Sequence, residues 1–268
     1  MMKVTNRYLC VWMLILLVPC MAYGLEGSDD LIASLAELPG LADSSEKGAF
    51  VEIVKAIDTV YTDGRITISV FPFARSVHNV IDKKADFHIP SIRNPDMDQT
   101  RLPYRIVTEK MGTVCFVIYS HREKPFTKQM LDDSIRKTQG GAPFPYSIEV
   151  PKGLEEQFPF PVISSNYVDQ SLKKVAAKRI DALVWAQEET DLTLKRLKIC
   201  TVRREFWQAF DDVILIPRGP AGDRLDIILS DALSKLRASG QLEQLYSNIH
   251  RPYDDWQPSE MGWGVPRF

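Results

Sequence analysis

Between residues 66 and 92 the hydrophobic period of the chain changes twice. Ile66, Ile68 and Val70 alternate with Thr67 and Ser69, the period of a strand with one face against a core. Pro72 interrupts that ladder, and from Ala74 onward Val77, Val80 and Ile81 share one helical face. Phe87, His88 and Ile89 then read as a short strand that Pro90 and Ser91 end. Strand, helix and strand in this order predict a parallel crossover, and ligands gather at loops beyond the carboxyl ends of such strands. The pattern therefore points to Phe71-Pro72-Phe73 and Pro90-Ser91-Ile92-Arg93 as half of a small-molecule cleft.

The rest of the chain keeps an α/β rhythm. Residues 31–38 fit either a strand or a helical turn. Phe50, Ile53, Val54 and Ile57 predict an amphipathic helix, with Glu52, Lys55 and Asp58 facing away. Residues 93–111, mixed in charge, read as a surface loop, and 113–119 as a strand buried on both faces. Further strands are expected at 147–150, 161–164, 182–186 and 213–216. Thr127 is placed to cap one helix, and another at 167–178 buries Val168, Leu172, Val175 and Ala176. A polar helix is expected at 188–197, with Glu188 and Glu189 as its solvated start. Leu225, Ile228, Leu229, Ala232, Leu233 and Leu236 form the cleanest apolar stripe, closed by Gly240. A last helix carries Leu242, Leu245, Tyr246 and Ile249, and the tail from Arg251 is expected to lie along the surface.

Composition narrows the function. Lys3 and Arg7 precede an apolar run at 8–18 and the small residues Ala22-Tyr23-Gly24, the layout of an export signal cleaved after Gly24. The run is shorter than the roughly 20 residues of a membrane-spanning helix. Lipid anchoring at Cys20 is the alternative, disfavoured by Pro19. Cleavage leaves 244 of the 268 residues and a formal charge of −4. No basic stripe suggests nucleic acid as a partner. Cys115 and Cys200 are then the only cysteines, and in an oxidising compartment they either bridge or serve as small buried apolar groups. His78, His88, His121 and His250 lack metal-ligand spacing, so neither a metal nor another cofactor is expected.

In order along the chain, several segments resemble the family 3 periplasmic solute-binding proteins, the polar amino-acid-binding relatives of ABC importers. They are Gly48-Ala49-Phe50, Pro72-Phe73-Ala74-Arg75 with Ala85-Asp86, Lys178-Arg179-Ile180-Asp181-Ala182, Val213-Ile214-Leu215-Ile216-Pro217-Arg218-Gly219, and Ala232-Leu233-Ser234-Lys235-Leu236. The resemblance implies a two-lobed α/β fold of the type II binding-protein class, with two crossing strands as hinge. Lobe 1 would take residues 25–111, lobe 2 residues 112–216, and residues 217–268 would return to lobe 1. It also implies a monomer that captures a small polar solute and delivers it to a membrane permease, without catalysis. The family's carboxylate-binding arginine would fall near Asp98, flanked by Arg93 and Arg101, and its ammonium-pairing aspartate at Ala186. The altered signature points away from a standard amino acid. Candidate ligand contacts are Phe71, Phe73, Arg75, Ser91, Arg93, Trp185 and Gln187. Two rival readings use the same scaffold: a dehydratase-like enzyme acting through Glu37, Arg93 or Glu188, and a ligand sensor.

Overall fold

The computed structural model describes residues 29–250 and Tyr253. In chain order the strands and helices are β1 (Leu31–Ala36), α1 (Ala49–Val60), β2 (Ile66–Phe71), α2 (Phe73–Ile81), β3 (Phe87–Arg93), β4 (Arg105–Ile106), β5 (Gly112–His121) and α3 (Lys128–Gln139). There follow β6 (Ile148–Pro151), β7 (Ile163–Ser165), α4 (Val168–Ala176), β8 (Ala182–Ala186), α5 (Gln187–Leu197), β9 (Val202–Ile216), α6 (Pro220–Ala238) and α7 (Gln241–Ser247). The export signal and most of the tail lie outside the described residues. Among those described, no helix is long and apolar enough to cross a membrane.

The strands hydrogen-bond in the order β2-β1-β3-β9-β5-β8-β6-β7, with β4 beside β9. β1 lies between β2 and β3 and is parallel to both, so the predicted crossover passes over it. Two strands join the halves. β9 pairs with β3 and β4 through its second half and with β5 through its first, while β5 also pairs with β8. The cores divide accordingly. In the first lobe, α1 and α6 cover one sheet face through Phe50, Ile53, Ile57, Leu229 and Leu233, and Val77 of α2 packs on the other. Each such buried side chain contributes about 1.5–3 kcal/mol. In the second lobe Leu131 of α3 lies on one face, and Leu172 and Val175 of α4 with Leu194 of α5 lie on the other. Thr127 caps α3 by accepting from the Met130 amide.

Three expectations are corrected. β3 does not stop at Ile89 but continues to Arg93, because its ladder with β9 shifts register between His88 and Ser91, where Pro90 has no N–H to donate. β9 begins at Val202 instead of Val213, its charged residues being paired: Arg203 with Glu205 at 2.7 Å and Arg204 with Asp191 at 3.2 Å. Cys115 and Cys200 are free. Cys115 sits six residues along β5 from His121, which pairs with Val202, so it is roughly 20 Å from the Cys200 end of β9. A disulfide needs Cα atoms within about 7 Å.

Candidate functional site

A cleft of about 510 Å³, open solvent included, lies where the two lobes face each other. Phe50, Phe73, Pro90 and Ser91 enter from the first lobe, Leu154, Trp185, Glu188 and Glu189 from the second, and Phe116 and Asp212 from the crossing strands. The lobes also touch. An amide and side chain of Asn94, at the end of β3, bond to Gln157 at 3.0 and 2.8 Å. Gly153, in the loop after β6, lies against the start of α2: a Cβ there would be 3.3 Å from the Ala74 Cα.

The polar end of the cleft is built around His250, which follows α7. Its Nε2 lies 3.1 Å from Asp212 Oδ2, and its Nδ1 lies 3.0 Å from Glu188 Oε1, an ion-pair contact without the alignment of a good hydrogen bond. All three side chains are buried. Tyr246 stacks on the ring at 4.2 Å and its hydroxyl donates to Asp212 at 3.2 Å, while Phe50 meets it edge-on. Burial alone would push the imidazole pKa down, but Asp212 and Glu188 outweigh it and raise it to about 9. His250 is therefore a cation at neutral pH, tying the first lobe's last helix to α5 of the second.

The ion pairs continue into the second lobe. Gln187 accepts from Arg204 at 2.9 Å and donates to Glu188 at 3.3 Å, and the Tyr119 hydroxyl donates to Asp191 at 3.0 Å. Arg204 also lies over the Tyr253 ring at 4.2 Å. Glu189 has a different setting: it is buried, and Trp185 Nε1 donates to it at 2.5 Å. Burial raises its pKa to about 7, against the lowering effect of that hydrogen bond.

Of the seven contacts named from sequence, Phe73, Ser91 and Trp185 line the cleft. Ser91 is 2% exposed and its hydroxyl has no hydrogen-bond partner. Phe71 ends β2 half-buried and outside the lining, and Arg75 is exposed on α2. Arg93 is held across the β3–β9 ladder by Asp211 at 2.9 and 3.1 Å, and Gln187 lies behind the wall. The flanking arginine, Arg101, is exposed and paired with Asp98. Glu37 is exposed and outside the lining. The expectation that Glu188 and Glu189 are solvated is overturned: they are 3% and 6% exposed, because α5 starts directly at the end of β8 and points its first turn into the cleft. Sequence reading missed Asp212 and His250. The adjacent Asp211-Asp212 pair leading into an apolar strand was the available signal for the first; a lone histidine past a helix end gave none. Among the described residues no cluster of three His, Cys, Asp or Glu could hold a metal ion.

No protein-family model matches the sequence, and no curated protein does either. Solved structures match in fold. A histidine kinase sensor domain with similarity to periplasmic binding proteins superposes with a TM-score of 0.65 at 15% identity, over 82% of this chain and 96% of its own. The substrate-binding protein of an amino acid ABC transporter gives 0.60 at 14% identity, over 83% and 100%. An ancestral amino-acid-binding protein, a precursor of cyclohexadienyl dehydratase, gives 0.59 at 12% identity, over 83% and 95%. At such identities the likeness is one of architecture, and the chain has the two-lobed fold of periplasmic binding proteins.

Proposed function

We propose that the protein is an extracytoplasmic solute-binding protein, exported by its N-terminal signal. It holds one small solute between its lobes and passes it to an ABC-type permease, acting as a monomer. The observation that carries this reading is the cleft itself: both lobes supply its largely apolar walls, and among the residues that line it Glu188, Asp212 and Ser91 carry buried oxygens without partners. Sites of this kind bind by desolvated hydrogen bonds within an apolar enclosure. The ligand-binding role of Phe73, Ser91 and Trp185 belongs to this proposal. A solute pool extracted from the host envelope, added to the purified protein, is expected to raise its melting temperature, and less so in Ser91→Ala. Failure of that pool and of a panel of amino acids, amines, organic acids and sugars to shift the melting temperature contradicts the reading.

Glu189 supports a second reading. A carboxyl with a pKa near 7 in a cleft suits general acid–base work, which would make the protein a dehydratase-like enzyme. NMR of any bound solute over time separates the two: an unchanged spectrum supports binding, and conversion that Glu189→Gln abolishes supports catalysis.

A further inference from the structure

The charge of the cleft limits its solute further, an inference that rests on the binding reading above. Among the described residues lining it, the ionisable groups are three carboxyls and His250, with no lysine or arginine. Glu188 and Asp212 both contact the one imidazole ring, so two buried acidic side chains share a single basic partner. Glu188 Oε2, Asp212 Oδ1 and Ser91 Oγ are buried without hydrogen-bond partners. A buried acceptor left unpaired costs about 1–3 kcal/mol, and more when charged. Three orphaned oxygens therefore call for donors, and beside acidic side chains that share one basic ring a positively charged donor is favoured.

A primary ammonium has three N–H donors and no acceptor. The rest of the enclosure is apolar, with Phe50, Phe73, Phe116 and Trp185 among its walls. Aromatic surfaces of this kind accept an organic cation and its carbon body together. A carboxylate on the same solute would enter beside buried acidic side chains without a guanidinium to meet it, since Arg93 and Arg101 are held elsewhere by Asp211 and Asp98. We infer that the cleft selects a monoamine: a protonated amine on a compact apolar body, carrying no carboxylate.

The test is isothermal titration calorimetry of the exported chain with solutes of matched carbon skeleton: 2-phenylethylamine, phenylalanine and 3-phenylpropionate, then isobutylamine, valine and isobutyrate. At least one amine is expected to bind, with its amino acid and acid counterparts weaker by tenfold or more. Ser91→Ala is expected to weaken the amine about fivefold, and Glu188→Gln to abolish its binding. Because Glu188 also partners His250, the melting temperature of Glu188→Gln is measured first, and Ser91→Ala remains the informative variant if it unfolds. Binding of an amino acid or acid as tightly as its amine, or a co-purified solute without an amine nitrogen, overturns this inference and leaves solute binding standing. No binding by any member and no co-purified solute overturns both.

Discussion

His250 is a charged group that burial would neutralise if Asp212 and Glu188 were not on either side of it. Its folded pKa of about 9 exceeds the ordinary 6.5, so the folded state binds a proton more tightly than the unfolded chain. The resulting stability is fully present below pH 6.5 and is lost as pH rises through about 9. Glu189 and Asp191, both raised to about 7, have the same sign and lose their contribution at lower pH. Denaturant titrations are thus expected to show stability falling between pH 7 and 9, by up to about 3 kcal/mol for a shift of this size. His250→Gln should flatten most of that slope; an unchanged slope in the variant would refute the imidazolium. His88 has the opposite sign. It is buried with its Nδ1 2.6 Å from Ser76 Oγ, and burial lowers its pKa to about 3. The unfolded chain takes up a proton below pH 6.5 that the folded one refuses, so stability is lost as pH falls toward 3. His88→Gln should lessen this acid loss.

At the scale of elements, the lobes meet where the loop after β6 reaches the start of α2. Gly153 has φ +100, where a side chain is strained, and an added Cβ would press on the Ala74 backbone and the Phe73 ring. Gly153→Val is expected to hold the lobes apart, giving a larger radius of gyration by small-angle scattering and solute affinity at least tenfold weaker. An unchanged radius and affinity would show that this contact does not set the lobe spacing. Thr127→Ala removes the α3 cap and is expected to cost about 1 kcal/mol in chemical denaturation without altering solute affinity. The elements whose polarity repeats with one period were legible in the sequence: α1, α4, α6, β2 and β8 stand close to where their apolar spacing put them. Residues 202–212 of β9 were not, because Arg203, Arg204, Glu205 and Asp211 interrupt the pattern. Their charges are met by one another, by Asp191 and by Arg93, in partnerships that exist only once the sheet forms. For the same reason the start of α5 read as solvated. Its acids are hidden by Trp185 of β8, Arg204 of β9 and His250 beyond α7, of which only the first is near them in sequence.

For the whole molecule, the resemblance noted from ordered short segments and the observed architecture agree on a two-lobed α/β fold, and helices α6 and α7 pack on α1. The apolar half of the cleft was partly legible, since Phe73 begins α2, Trp185 lies near the end of β8 and Ser91 lies in the last part of β3. Its charged half was not, because Asp212, Glu188 and His250 come from three distant stretches and are joined only by the fold. On the proposed reading, this cleft holds one small solute. Native mass spectrometry of the protein isolated from its host's envelope, with release and identification of any bound molecule, tests it most directly. A one-to-one adduct that is retained under gentle ionisation and weakened in Ser91→Ala is expected. A clean apo mass, unchanged after incubation with the envelope solute pool, would contradict it.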